Sequence, residues 1–162
     1  MEIASLLNRD SVACNAEARS KKHALDLLSQ LLANAVSTSS AAEIFAVLVS
    51  RERLGCTGLG EAVAIPHGRM AGLDHNIGAF LQLAEPIDFD SPDGEPVDLI
   101  FGLLVPEDCP ESTLSDLRQL ALQLSDPALQ RQLRFARDAD TLHALLAAID
   151  DRTQRSRQEP AT

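Results

Sequence analysis

Apolar and polar residues alternate along the chain in two different rhythms. Near the N-terminus, Ala24, Leu25, Leu28, Leu31 and Leu32 recur at helical spacing, and Ser20 stands where an N-cap belongs. This predicts a helix through residues 21–36. A second helix is predicted from Ser40 onward, because Ser40-Ala-Ala-Glu43 has the form of a capping box. Ile44, Phe45, Val47 and Leu48 form its apolar face, and Gly55 marks its end. From Glu61 to Pro106 the rhythm changes to three continuous apolar runs, at residues 62–68, 77–83 and 97–106. Short unbroken runs of this kind predict strands buried on both faces. Residues 85–98, rich in Pro and Asp with Asp93-Gly94 as a turn, predict an exposed connection.

Helical spacing returns after Pro110. Ser112 is the expected cap of a helix over residues 113–124, and Asp126-Pro127 the expected cap and first turn of the next. A last helix is expected from Asp140 to Asp150. Residues 151–162 are polar and are expected to be a disordered tail, leaving residues 1–150 as one domain. No internal repeat is visible. Helices, then strands, then helices predict an α/β or α+β class with a small sheet covered by helices.

Composition narrows the functional classes. The chain has 162 residues, 45% of them hydrophobic, enough for a core without covalent staples. Its formal charge of -10, with no Trp or Tyr and 5 Phe, argues against a nucleic-acid partner. No apolar stretch is long enough to insert in a membrane, and the N-terminus lacks the pattern of a signal peptide. Cys14, Cys56 and Cys109 are odd in number, widely spaced and free of any C-x-x-C pair, so neither a disulfide framework nor a zinc site is expected. These features predict a cytoplasmic protein without a metal.

The stretch that carries chemistry is Arg51-Glu-Arg-Leu-Gly-Cys-Thr-Gly-Leu-Gly60-Glu-Ala-Val-Ala-Ile-Pro66-His67-Gly68-Arg69. Gly55, Gly58 and Gly60 suit a loop whose amides approach an anion closely. No Gly-Lys-Ser/Thr follows, so this is not a P-loop, and its order of helix before strand is the reverse of a dinucleotide fingerprint. Pro66-His67-Gly68 is expected to end a strand in a turn that exposes one imidazole nitrogen. His23 and His143 fall in amphipathic helices and are expected at their surface or boundary. His75 has no ligand spacing to His67. Asp88, Asp90 and Asp93 lack the cation-loop pattern and are expected to be a solvated turn. Residues 51–72 carry Arg51, Arg53 and Arg69 against Glu52 and Glu61, a net +1 that leaves -11 on the rest of the chain.

This segment resembles the active-site segment of the nitrogen-regulatory enzyme IIA proteins of the bacterial phosphotransferase system, and of the related fructose/mannitol enzyme IIA domains. The likeness also takes in Ser20-Lys-Lys-His-Ala-Leu25, Glu85-Pro-Ile-Asp-Phe-Asp90, Pro96-Val-Asp-Leu-Ile-Phe101 and Leu104-Val-Pro106. It covers roughly residues 5–150. The resemblance implies a small mixed β-sheet flanked by helices, like mannitol-type enzyme IIA. It implies a phosphocarrier whose His67 accepts a phosphoryl group through Nε2 from an HPr-like carrier protein, with a transient phosphohistidine and no other cofactor. Arg51, Thr57, Gly58 and Gly60 are expected to support the phosphoryl site. Regulatory target proteins, such as potassium-transport regulators, are the implied partners. The alternatives are a sugar-specific enzyme IIA that passes phosphate to an enzyme IIB, and an interaction module that transfers none. Three positions depart from the family pattern. Cys56 takes the place of Ser, Ala62 that of a frequent Gly, and Thr113 that of a second histidine expected beside His67.

Overall fold

The computed structural model describes residues 2–36 and 39–158. A short helix, α1 (Ile3–Leu6), and a 3-10 turn (Arg9–Ser11) lead into strand β1 (Val12–Ala16). Helices α2 (Lys21–Ala33) and α3 (Ala41–Leu54) follow, then β2 (Gly58–Gly60), β3 (Val63–Ala64), β4 (His67–Met70), β5 (Ile77–Ile87) and β6 (Val97–Pro106). The chain closes with α4 (Ser112–Leu124), α5 (Pro127–Phe135) and α6 (Ala139–Gln158).

The caps explain where the helices begin. Ser20 Oγ accepts the His23 amide at 3.1 Å, Ser40 Oγ the Glu43 amide at 3.2 Å, and Asp126 Oδ1 the Ala128 amide at 3.0 Å. Glu43 meets the Ser40 hydroxyl rather than the cap amide. Ser112 lies inside α4, and Glu111 holds the cap position without a side-chain bond. α6 extends to Gln158, beyond the Asp150 end expected from its apolar pattern; residues 159–162 lie outside the described residues.

The sheet is mixed and six-stranded. Its order is β1-β5-β6-β3-β2, and β4 also pairs with β6. β5 and β6 form the central antiparallel pair, with Phe80 opposite Phe101. β3 and β4 both run parallel to β6 and continue one register, Val63 opposite Leu99 and then His67 opposite Leu103. The 62–68 run is therefore two short strands interrupted at Ile65-Pro66, and His67 begins a strand instead of ending one. The interruption is local: Leu103 N still donates to the Pro66 carbonyl at 3.0 Å.

Both faces of the sheet are covered, which is why β5 and β6 read as unbroken apolar runs. On one face, Leu28 and Leu32 of α2 and Ile44 and Leu48 of α3 pack with Leu81, Ile100 and Leu104. On the other, Phe80, Phe101 and Leu103 pack with Leu120, Leu133 and Leu146 from α4, α5 and α6. β5 extends to Ile87, so the expected connection is shorter and begins after that residue. Cys14, Cys56 and Cys109 are free thiols. Among the described residues, no helix is long and apolar enough to cross a membrane.

Candidate functional site

The interruption at Ile65-Pro66 builds the site. Pro66 has no amide hydrogen to offer the ladder, and the Ile65 carbonyl turns back toward the next side chain. His67 Nδ1 lies 2.8 Å from that oxygen. A carbonyl only accepts, so Nδ1 carries the proton and Nε2 keeps its lone pair. His67 is half-buried. Burial pushes the imidazole below its ordinary value of 6.5. The Ile65 hydrogen bond pushes back, Arg51 adds to the lowering, and Glu52 opposes it. The ring is neutral at pH 7, with one oriented nucleophilic nitrogen.

His67 opens into a cleft of about 660 Å³ between α3, α4, β4 and the end of β6. Arg51 and Arg69 bring positive charge to its wall, and Thr113 and Cys109 bring a hydroxyl and a thiol. The remaining wall is largely apolar. Leu54 and Leu114, 85% and 53% exposed, lie at its rim. Thr113, in the first turn of α4, is buried, and the helix brings it to the same cleft as His67. Arg51 reaches back from the last turn of α3, where Nη1 donates to the Gly55 carbonyl at 2.9 Å.

The other expected supports sit elsewhere. Thr57, Gly58 and Gly60 do not line this cleft. The Glu52 carboxylate draws Thr57 inward, accepting from its amide at 3.2 Å and from its hydroxyl. Gly58 and Gly60 form β2, and their lack of side chains serves packing. A Cβ on Gly58 would stand 2.5 Å from Ser91 Oγ, and one on Gly60 3.1 Å from Asp93 Oδ2. Gly60 also opens a tight turn in which Glu61 and Ala62 have φ of 56° and 69°. Asp93 Oδ2 accepts the Glu61 amide at 2.8 Å, and Arg134 reaches the Glu61 carbonyl at 3.3 Å, which holds the turn. The backbone at Ala62 is left-handed, a conformation that glycine, the residue the resemblance implies at this position, adopts without strain.

Glu52 is the residue that sequence reasoning passed over. Its neighbour Arg51 is expected at the phosphoryl site, while Glu52 enters the sequence analysis only as one negative charge among residues 51–72. Its side chain is 6% exposed and pairs with Lys21 Nζ at 2.9 Å. The available signal was the Arg-Glu pair itself, directly before the glycine-rich segment. Asp88, Asp90 and Asp93 form an exposed turn, as expected: Asp88 Oδ1 accepts the Asp90 amide, and Asp93 Oδ1 the Glu95 amide. His23 caps locally by accepting the Arg19 amide through Nδ1, and His143 meets the Leu7 carbonyl.

Comparison with known proteins places the chain in a family. A nitrogen regulatory protein of Pseudomonas aeruginosa is 42% identical over 137 residues, covering 85% of this chain and 89% of its own. The crystal structure of nitrogen regulatory protein IIA-Ntr from Neisseria meningitidis superimposes with a TM-score of 0.83 at 41% identity, covering 89% of this chain and 98% of that one. The crystal structure of IIA mannitol from Escherichia coli shares the fold, with a TM-score of 0.72 at 22% identity over 87% of this chain and 99% of that one. Residues 5–149 match the family described as phosphoenolpyruvate-dependent sugar phosphotransferase system, EIIA 2. The chain belongs to the EIIA 2 family of the phosphoenolpyruvate-dependent phosphotransferase system.

Proposed function

We propose that the chain is a cytoplasmic histidine phosphocarrier of nitrogen regulation. It accepts a phosphoryl group on His67 Nε2 from an HPr-like carrier and acts on target proteins, potassium-transport regulators among them, according to its phosphorylation state. The observation that carries this reading is the Nδ1 hydrogen bond to Ile65, which leaves Nε2 unprotonated in a neutral, oriented ring on a residue that lines the cleft. The high identity to a relative named nitrogen regulatory protein supports the regulatory branch.

The step follows from the geometry. The Nε2 lone pair attacks the phosphorus of the donor's phosphoryl group, and a new N–P bond forms. The donor's own bond to phosphorus breaks, and its electron pair returns to the donor. Little covalent help is required; positioning and charge on the equatorial oxygens dominate. Arg51 and Arg69 supply cationic character on the cleft wall. The ring gains positive character as the bond forms, and the Ile65 carbonyl at Nδ1 accommodates it. The exposed leucines on the rim suit a protein surface as donor.

The test is incubation with phosphoenolpyruvate, enzyme I and an HPr-like carrier, followed by intact mass measurement. One acid-labile, base-stable phosphoryl group is expected, and His67→Ala should abolish it in a protein whose circular dichroism is unchanged. Labelling retained in that variant would refute the assignment. Transfer from a purified phosphorylated carrier should also survive a chelator, since the donor arrives already carrying the reactive group; complete loss would refute metal-independent transfer.

A further inference from the structure

A continuous chain of hydrogen bonds connects the Lys21–Glu52 ion pair to the reactive imidazole. Lys21 Nζ, over the Phe89 ring at 4.7 Å, lies 2.9 Å from Glu52 Oε2. Glu52 in turn accepts the Thr57 amide at 3.2 Å, and its second oxygen accepts the Thr57 hydroxyl. The Thr57 carbonyl accepts the Ile65 amide at 3.0 Å. The Ile65 carbonyl accepts His67 Nδ1–H at 2.8 Å. Thus α2 and α3 hold Thr57, Thr57 holds Ile65, and Ile65 sets the ring.

We infer that Glu52 is a positioning residue for phosphoryl acceptance: through Thr57 and Ile65 it fixes the carbonyl that selects the Nδ1–H tautomer of His67. The inference rests on the reading of His67 as the acceptor. Three observations carry it. First, residues 55–57 are gripped by two consecutive side chains of one helix, Arg51 on the Gly55 carbonyl and Glu52 on Thr57. Moving Glu52 would therefore also move the peptide on which Arg51 rests. Second, Ile65, whose carbonyl meets His67, needs an anchor at its amide. It lies in the gap between β3 and β4, where the ladder to β6 is interrupted. The Thr57–Ile65 bond is such an anchor, and Thr57 is held in turn by a charged acceptor. Third, a buried carboxylate with a single ion-pair partner gives little net stability compared with an apolar side chain of similar size. Its two bonds to Thr57 show what it holds. Its negative charge also favours the positive character that the ring acquires during transfer.

The tautomer of the unphosphorylated chain is read from long-range nitrogen–proton correlation spectra of protein labelled with 15N-histidine. Transfer is measured in single turnover from a purified phosphorylated HPr-like carrier over a range of carrier concentrations. Wild type should show the Nδ1–H tautomer. Glu52→Ala should populate both tautomers and slow the saturating rate by about tenfold, the loss of one oriented bond, with the half-saturating carrier concentration unchanged. Glu52→Gln retains an acceptor for Thr57 without the charge and should fall between, about threefold slow. Should Glu52→Ala fail to fold, Glu52→Gln decides alone. A wild-type tautomer together with a wild-type saturating rate, in either folded variant, overturns the inference. The tautomer measurement needs no donor, so it judges Glu52 even if wild type accepts no phosphoryl group, a result that would instead remove the acceptor reading.

Discussion

At the scale of residues, the proposed transfer makes one side chain the nucleophile, and its immediate neighbours set when it is available. Burial holds the His67 imidazole below its ordinary 6.5, so protonation is harder in the folded chain than in the unfolded one. Below pH 6.5 the unfolded chain binds the proton first, and stability falls with acid; above that value this residue adds no pH dependence. In the proposed transfer the neutral ring is the nucleophile. The transfer rate should therefore stay level through neutral pH and decline with a midpoint below 6.5. A pH profile of single-turnover transfer checks this, and a midpoint above the ordinary value would contradict it. Thr113 is the second residue to probe, because it is buried in the same cleft. A hydroxyl donating to a phosphoryl oxygen contributes about 1.5–3 kcal/mol. Thr113→Val should slow transfer by about one to two powers of ten. Thr113→His should be tolerated, since the position lines a cleft of about 660 Å³. Unchanged kinetics in Thr113→Val would make the position a bystander.

At the scale of elements, the site depends on how closely α3 lies against β4. A Cβ on Gly68 would stand 2.5 Å from Val47 Cγ1. Gly68→Ala must therefore push α3 outward, and Arg51 lies one turn further along that helix. We expect a loss of about 1–3 kcal/mol in stability together with slower transfer. Val47→Ala in the same chain should recover part of both, which denaturant midpoints and transfer rates will show as a coupling between the two sites. Strictly additive effects would mean that the contact is relieved some other way. The same close packing explains what could be read beforehand. α2, α3 and α5 were legible because caps and helical stripes are local signals. β1 was not, since Val12–Ala16 is five residues long and owes its strand form to pairing with β5. β2 was hidden because Gly58-Leu59-Gly60 reads as a loop, and only β3 beside it makes it a strand. β3 and β4 merged because an apolar run does not show the break at Ile65-Pro66. Pro66 and Gly68 singled out His67, but they did not show that it begins a strand. The inward turn of Thr57 was not legible, because it depends on Glu52 and Lys21 meeting across two helices.

At the scale of the whole molecule, a weakly positive segment lies within a strongly negative protein. The chain carries -10 while residues 51–72 carry +1. A phosphorylated donor is anionic, so most of the surface repels it and the region around the cleft does not. Arg53 is suited to test this, because it is exposed and lies in the groove with Lys21 and Lys22 between α2 and α3, outside the cleft lining. Arg53→Glu should lower the second-order rate constant for transfer several-fold at low salt and leave the saturating rate unchanged. The difference from wild type should fade as salt shortens the screening length from about 30 Å at 0.01 M to about 3 Å at 1 M. Arg131→Glu is the matching control. Arg131 is exposed on α5, outside the cleft lining, and its substitution changes the net charge by the same amount. If steering belongs to the patch, the α5 variant should associate nearly as fast as wild type. If both variants slow equally, net charge alone governs the encounter, and the positive segment has no special part in bringing the donor to His67.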